Sequence, residues 1–117
     1  MLNQISLVGK LASEIKLRKT TDNSSVINFI LEVERPGIND PEKQSVDYIP
    51  CVAWNKQAEY IAENVLKNDL IALVGRLKFN EWIGENDKTY RQAEVTTYSV
   101  FNYDAVSKED RLVNTNG

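Results

Sequence analysis

The chain has no histidine and a single cysteine, Cys51, among its 117 residues. A lone cysteine cannot form an internal disulfide, and without histidine or a second cysteine a zinc site is close to excluded. The lack of histidine also removes the commonest general base and the Ser-His and Cys-His nucleophile pairs. We therefore expect no catalytic residue, no metal and no cofactor.

Long apolar runs are missing too. No stretch approaches the roughly 18 residues that a membrane-crossing helix needs, and no charged segment followed by an apolar one opens the chain at residues 1–4. The length suits one domain with a single core, and 42% hydrophobic with 26% charged residues is an ordinary soluble composition. These absences predict a cytoplasmic protein with no membrane partner.

Excess basic charge is also lacking, since the net charge is −3. Domains that bind nucleic acids are usually basic, so this balance argues against a generic nucleic-acid binder. The positions of the charges soften the objection. Many lysines and arginines fall within or beside predicted strands, whereas several carboxylates fall in predicted loops, on the helix or in the tail. The sequence predicts a surface on which the charges are segregated.

What the chain does contain is a repeated alternation of apolar and polar residues, which predicts five strands. Their predicted ranges are 3–17 with a bend, 26–34, 46–54, 70–83 and 88–103, and a loop about ten residues long occupies 35–44. A helix with Asn55 as its N-cap is predicted between the third and fourth strands, and its apolar positions are Ala58, Ile61, Ala62, Val65 and Leu66.

This order of elements is that of an OB-fold, a five-stranded Greek-key β-barrel of the all-β class with one helix. Such barrels bind oligonucleotides or oligosaccharides on their outer strand face. Residues 1–103 form the predicted domain. Residues 104–117 are polar and lack a periodic apolar pattern, so they are predicted to be a short disordered tail.

The fourth strand carries cations, an amide and an indole at every second position, namely Arg76, Lys78, Asn80 and Trp82. Leu77 and Phe79 have the other parity and are expected to enter the core. Tyr48 and Trp54 share a parity on the third strand. Large aromatic residues often pack inside proteins, and lone surface cations are usually only solvated. Rings and cations of matching parity nevertheless favour base stacking and phosphate contact.

Four segments resemble the bacterial single-stranded DNA-binding protein family, at residues 5–11, 29–36, 47–59 and 74–77. They occur in the family's order and spacing, and the resemblance extends from about Leu2 to Tyr103. The resemblance implies an OB-fold homotetramer in the cytoplasm, associated with the nucleoid. It also implies a non-catalytic protein that coats and protects single-stranded DNA, with little sequence preference, in replication, recombination or repair.

The resemblance further implies which residues contact DNA. It assigns base stacking to Tyr48, Trp54 and Trp82. It assigns phosphate contacts to Lys10, Arg18, Arg35, Lys56, Lys67, Arg76 and Lys78. The first strand, near residues 3–10, resembles the segment through which family members pair into dimers.

Several positions depart from the family pattern. Gly37 and Ile38 stand where a loop aromatic is common, and Asn80 and Glu81 stand where basic residues are frequent. The chain stops at Gly117 without the acidic, phenylalanine-terminated tip with which family members recruit repair enzymes. Either it is part of a longer protein, or it resembles the short phage and competence paralogues. We therefore do not expect it to recruit replication or repair proteins.

Two other functions are compatible with parts of the sequence. The acidic balance, Glu81 and the missing loop aromatic favour an OB-fold adaptor of a primosome or replication-restart complex, whose main partner is a protein. A metal-dependent nuclease would need carboxylates such as Asp47 and Glu94 around one site. Nothing in the sequence brings those two carboxylates together, and no phosphate-binding glycine loop follows a strand.

Overall fold

The computed structural model describes residues 1–36 and 45–104. The predictions for residues 37–44 of the loop and for residues 105–117 of the tail lie outside the described residues. The elements are β1 (Ile5–Leu11), β2 (Arg18–Lys19), β3 (Ser25–Glu34), β4 (Val46–Trp54), α1 (Asn55–Asn64), β5 (Leu70–Ile83), a 3-10 turn (Glu85–Asp87) and β6 (Thr89–Asn102).

The five long strands close into a barrel. β1 pairs with both β3 and β5, and β6 lies between β4 and β5. The β4–β6 pairing is parallel and every other pairing is antiparallel. β2 only adds two residues beside β3. With α1 between the third and fourth long strands, this is the predicted OB-fold, and the all-β prediction is confirmed.

The barrel core follows from strand alternation. Ile27, Phe29 and Leu31 of β3 are buried, as their parity predicts. Ala58 and Ile61 of α1 pack into the same apolar cluster. Each fully buried isoleucine, leucine or phenylalanine side chain stabilises the fold by about 1.5–3 kcal/mol. The core therefore holds the outward faces of the strands in a fixed arrangement.

Two local predictions at element ends are wrong. Asn55 is not a side-chain cap of α1, because its Oδ1 accepts a hydrogen bond from the Ser25 backbone N–H at 3.1 Å. β1 ends at Leu11 and does not run on through residues 12–17. The Ser13 hydroxyl accepts the Ile30 backbone N–H at 2.9 Å, the donor that a continuing strand would have used.

Phe79 does not enter the core, which corrects the prediction made from its parity; it is 53% exposed. β1 pairs with β5 only as far as Gly75, and β4 pairs with β6 only over Cys51–Val95 to Ala53–Thr97. Beyond these points β5 and β6 pair only with each other, as a hairpin that extends past the barrel. Leu77 still packs against the barrel core, whereas Phe79 lies past the last residues at which β1 or β4 pairs with the hairpin.

Cys51 lies in the core, and its burial, together with the nearby charge of Glu94, raises the pKa of the thiol from 9.0 to about 12. Between about pH 9 and 12 the unfolded chain therefore loses a proton that the folded chain keeps. Stability should fall with rising pH there, by about 1.4 kcal/mol per pH unit from this thiol. Urea denaturation of the wild type and Cys51→Ala across this window isolates the effect. Equal pH slopes for the two proteins would contradict it.

Candidate nucleic-acid interface

One continuous surface runs across four strands of the barrel. Cross-strand pairing aligns Arg76 of β5 with Thr96 of β6, Thr96 with Val52 of β4, and Val52 with Asn28 of β3. Paired residues project to the same face of a sheet, as do residues two positions along each strand. We call this surface, the outward face of β3 to β6 with Tyr48, Trp54 and Trp82 on it, the outer wall.

Three aromatic rings stand on the outer wall. Tyr48 and Trp54 lie toward opposite ends of β4, and Trp82 lies on the projecting part of β5. Their exposed fractions are 62%, 43% and 49%. Parity predicts this outward orientation, and the exposed fractions agree with it.

Tyr90 of β6 is a fourth ring on this surface, and it is not among the stacking residues that the family resemblance assigns. It faces Trp82 across the hairpin, and the two rings stack with centroids 5.7 Å apart and planes 16° apart. Tyr90 could have been identified from the sequence through the register of the hairpin. Trp82 and Tyr90 are equally distant in sequence from the centre of the turn, so they are expected to pair across the two strands. One face of Trp82 is therefore already occupied.

Cations flank the rings at both ends of the outer wall. Arg76 and Lys78 share the face of Trp82, and neither forms an ion pair within the described chain. Arg18 pairs with Val26, the cross-strand partner of Trp54, and its guanidinium donates to Asn28 Oδ1 at 2.6 Å. Lys56 is exposed in the first turn of α1, two residues after Trp54.

Comparison with known proteins bears on this surface. The profile of the single-strand binding protein family matches residues 2–101. The chain belongs to this family. The family resemblance predicted from four short segments is thereby confirmed.

Named relatives agree with this assignment. The single-stranded DNA-binding protein of Oceanobacillus iheyensis is 35% identical over 100 residues, which are 86% of this chain and 62% of the relative. That of Halalkalibacterium halodurans is 36% identical over 86% of this chain and 60% of its own length. Single-stranded DNA-binding protein 1 of Streptococcus pyogenes is 30% identical over 98% of this chain and 86% of its own. The chain spans about three fifths of the first two relatives.

Arg35 and Lys67 have carboxylate partners in this member of the single-strand binding protein family. The Arg35 guanidinium donates to Asp47 Oδ1 at 2.8 Å, which lowers the pKa of Asp47 and raises the pKa of Arg35. The Lys67 ammonium lies 3.8 Å from the Glu14 carboxylate. The structure does not bring these two cations onto the outer wall as unpaired charges.

Lys10 lies on β1, at the border of the outer wall. Its cross-strand partner on β3 is Glu32, which pairs in turn with Tyr48 of β4. The Tyr48 hydroxyl lies 3.4 Å from the Glu32 carboxylate. Lys10 is therefore two strands away from the Tyr48 ring in the same row of side chains.

Glu81 precedes Trp82 in sequence but does not lie on the outer wall. Glu81 has the opposite parity to Trp82 and forms an ion pair with Arg91 at 2.9 Å on the other face of the hairpin.

Across residues 1–36 and 45–104 no group of three or more acidic, cysteine or histidine side chains could hold a metal ion. In the same ranges no helix is long and apolar enough to span a membrane.

Proposed function

We propose that this member of the single-strand binding protein family binds single-stranded DNA along the outer wall. The observation that carries the proposal is the exposure of Tyr48, Trp54 and Trp82 on one surface beside the unpaired cations Arg76 and Lys78. A ring can stack on the face of any base, so this arrangement favours binding with little sequence preference. Its task would be to coat and protect single strands in replication, recombination or repair, without catalysis.

Each class of side chain has a proposed role. Tyr48, Trp54 and Trp82 would stack on bases, while Arg18, Lys56, Arg76 and Lys78 would neutralise phosphates. Lys10 would extend the phosphate path toward β1. Arg35 and Lys67 would contribute after exchanging Asp47 and Glu14 for phosphate, which costs little because exposed ion pairs contribute only about 0–1 kcal/mol.

Titration with oligo-dT tests this function directly. Stacking on Trp54 and Trp82 should quench tryptophan fluorescence, and the logarithm of the affinity should fall with the logarithm of salt concentration by about 0.7 per phosphate neutralised. A duplex of the same length serves as the control and should bind more weakly, since its bases are already stacked. Absence of both quenching and salt dependence would overturn the proposal.

We also propose that the domain of residues 1–103 assembles as a cytoplasmic, nucleoid-associated homotetramer, with β1 at an interface and residues 104–117 as a tail. Support comes from a group of apolar side chains that are exposed on the outward side of β1, β5 and β6. Single apolar residues scattered on a surface need no explanation, but a group on neighbouring strands is typical of a protein interface. They are Val8 of β1, Leu70 of β5, Phe101 of β6 and Tyr103, which directly follows β6.

Light scattering should give a mass of four 13.3 kDa chains. Val8→Glu places a charge on the proposed interface and should lower that mass. Leu17→Glu is the matched control, because Leu17 is also exposed, at 40%, but lies outside the long strands. A monomeric wild type would contradict the tetramer and leave DNA binding untouched.

A further inference from the structure

An open groove of about 360 Å³ lies on the outer wall, where β3 and β4 face β6. Pro50, which lies between Tyr48 and Trp54 in β4, and Ile30 line it on one side, and Gln92 and Glu94 of β6 line it on the other. The volume lies within the range of sites that bind small organic molecules. A strand running from Trp54 to Trp82 would pass over this groove.

Glu94 is the unusual residue in the groove. It is half-buried, and within the described chain its carboxylate forms neither an ion pair nor a hydrogen bond. Its cross-strand partner Lys78 has its ammonium more than 4.0 Å away, whereas the second acid of the groove, Glu14, has Lys67 beside it. A free carboxylate thus stands on a surface that is proposed to hold a polyanion.

The chemistry of DNA restricts what such a carboxylate can hold. An ionised carboxylate only accepts hydrogen bonds, and it repels phosphate. The oxygens of phosphate and of deoxyribose within a strand only accept as well, so the donors of a DNA strand are the N–H groups of its bases. Cytosine, adenine and guanine carry an exocyclic amino group. Thymine carries none, and its single ring N–H lies between two carbonyl oxygens.

We propose that the groove is a nucleobase subsite that prefers bases with an exocyclic amino group over thymine, with Glu94 as the acceptor. Pro50 and Ile30 supply apolar contact for the ring. The Gln92 amide and the Ser13 hydroxyl, which also line the groove, can donate to ring nitrogen or carbonyl oxygen. Ser13 Oγ accepts from Ile30, so its own hydrogen stays available. The inference rests on the proposed function and adds a base bias to general stacking.

Competition binding with three oligomers of equal length tests the subsite. They are oligo-dC, oligo-dT and an oligomer of 2-pyrimidinone, which is cytosine without its amino group. The wild type should bind oligo-dC about 5-fold more tightly than the pyrimidinone oligomer, the effect of one lost base contact. Glu94→Leu removes the acceptor. It should abolish that difference and shift the dC-to-dT affinity ratio toward dT by a similar factor.

Glu81→Leu is the matched control, because it removes the same charge from the opposite face of the hairpin. It should leave both ratios at the wild-type values even if the affinity for every oligomer rises. Equal binding of oligo-dC and the pyrimidinone oligomer by the wild type would overturn the subsite while leaving the proposed function standing. Failure of all three oligomers to bind would overturn both. The wild-type comparison decides the matter even if Glu94→Leu does not fold.

Discussion

Alanine at both Trp54 and Trp82 should make the free energy of binding to oligo-dT less favourable by about 2–6 kcal/mol, because each lost stack costs about 1–3 kcal/mol. Both rings are exposed on the outer wall, on different strands, so their removal leaves the barrel core intact. Fluorescence anisotropy of a labelled oligonucleotide measures the change without relying on the deleted tryptophans.

The two single variants should differ. Trp82 has Tyr90 stacked on one face, so in Trp82→Ala the Tyr90 ring remains to receive a base, and the loss should be smaller than in Trp54→Ala. Phe79→Ala is the matched control, because Phe79 is just as exposed but lies on the opposite face of the hairpin. If Trp54→Ala and Trp82→Ala both retained wild-type affinity, the outer wall would not be the binding surface.

Gly75→Ala should destabilise the fold by about 3 kcal/mol, at the upper end of the usual cost of overpacking. Gly75 lies at the register shift between β5 and β6, where the strands approach closely. An added Cβ would overlap the carbonyl oxygen of Thr96 and lie 3.1 Å from Val95 Cγ1. Since the overlapping atom belongs to backbone, relief requires the two strands to separate where β1 and β4 are also attached.

Gly84→Ala serves as the comparison for this substitution. Its added Cβ would meet only the Tyr90 ring, a side chain that can rotate away. Urea denaturation should show less than about 1 kcal/mol of destabilisation for Gly84→Ala. Equal stabilities of the two variants would mean that the close approach at Gly75 is not needed for closure of the barrel.

Strand positions could be predicted because apolar alternation is a local property. The predicted bounds of the strands now numbered β4 and β5 match the structure, and β3 begins one residue before its prediction. Parity also placed Tyr48, Trp54 and Trp82 outside. It was wrong for Phe79 because parity assigns a face but does not say whether a second layer covers that face.

The rest of the site depends on pairings between distant residues. The Arg35–Asp47 ion pair follows from the β3–β4 register, and the groove around Glu94 requires β6 to lie beside β4. The Trp82–Tyr90 stack needs the register of the hairpin. None of these registers has a local signal as strong as the alternation within one strand, so the sequence predicts the stacking residues better than it predicts what surrounds them.

The position of β6 between β4 and β5 has a consequence for biosynthesis. β4 cannot complete its pairing until residues 95–97 have been synthesised. Ile5 likewise cannot pair until Gly75, seventy positions later, has been synthesised. A nascent chain that ends before residue 95 exposes the edge of β4, where another polypeptide can add a strand. Pairings this distant also make folding slow. Because Thr96 joins Val52 to Arg76, a chain without its last strand would present Trp54 to DNA with no fixed path to Trp82.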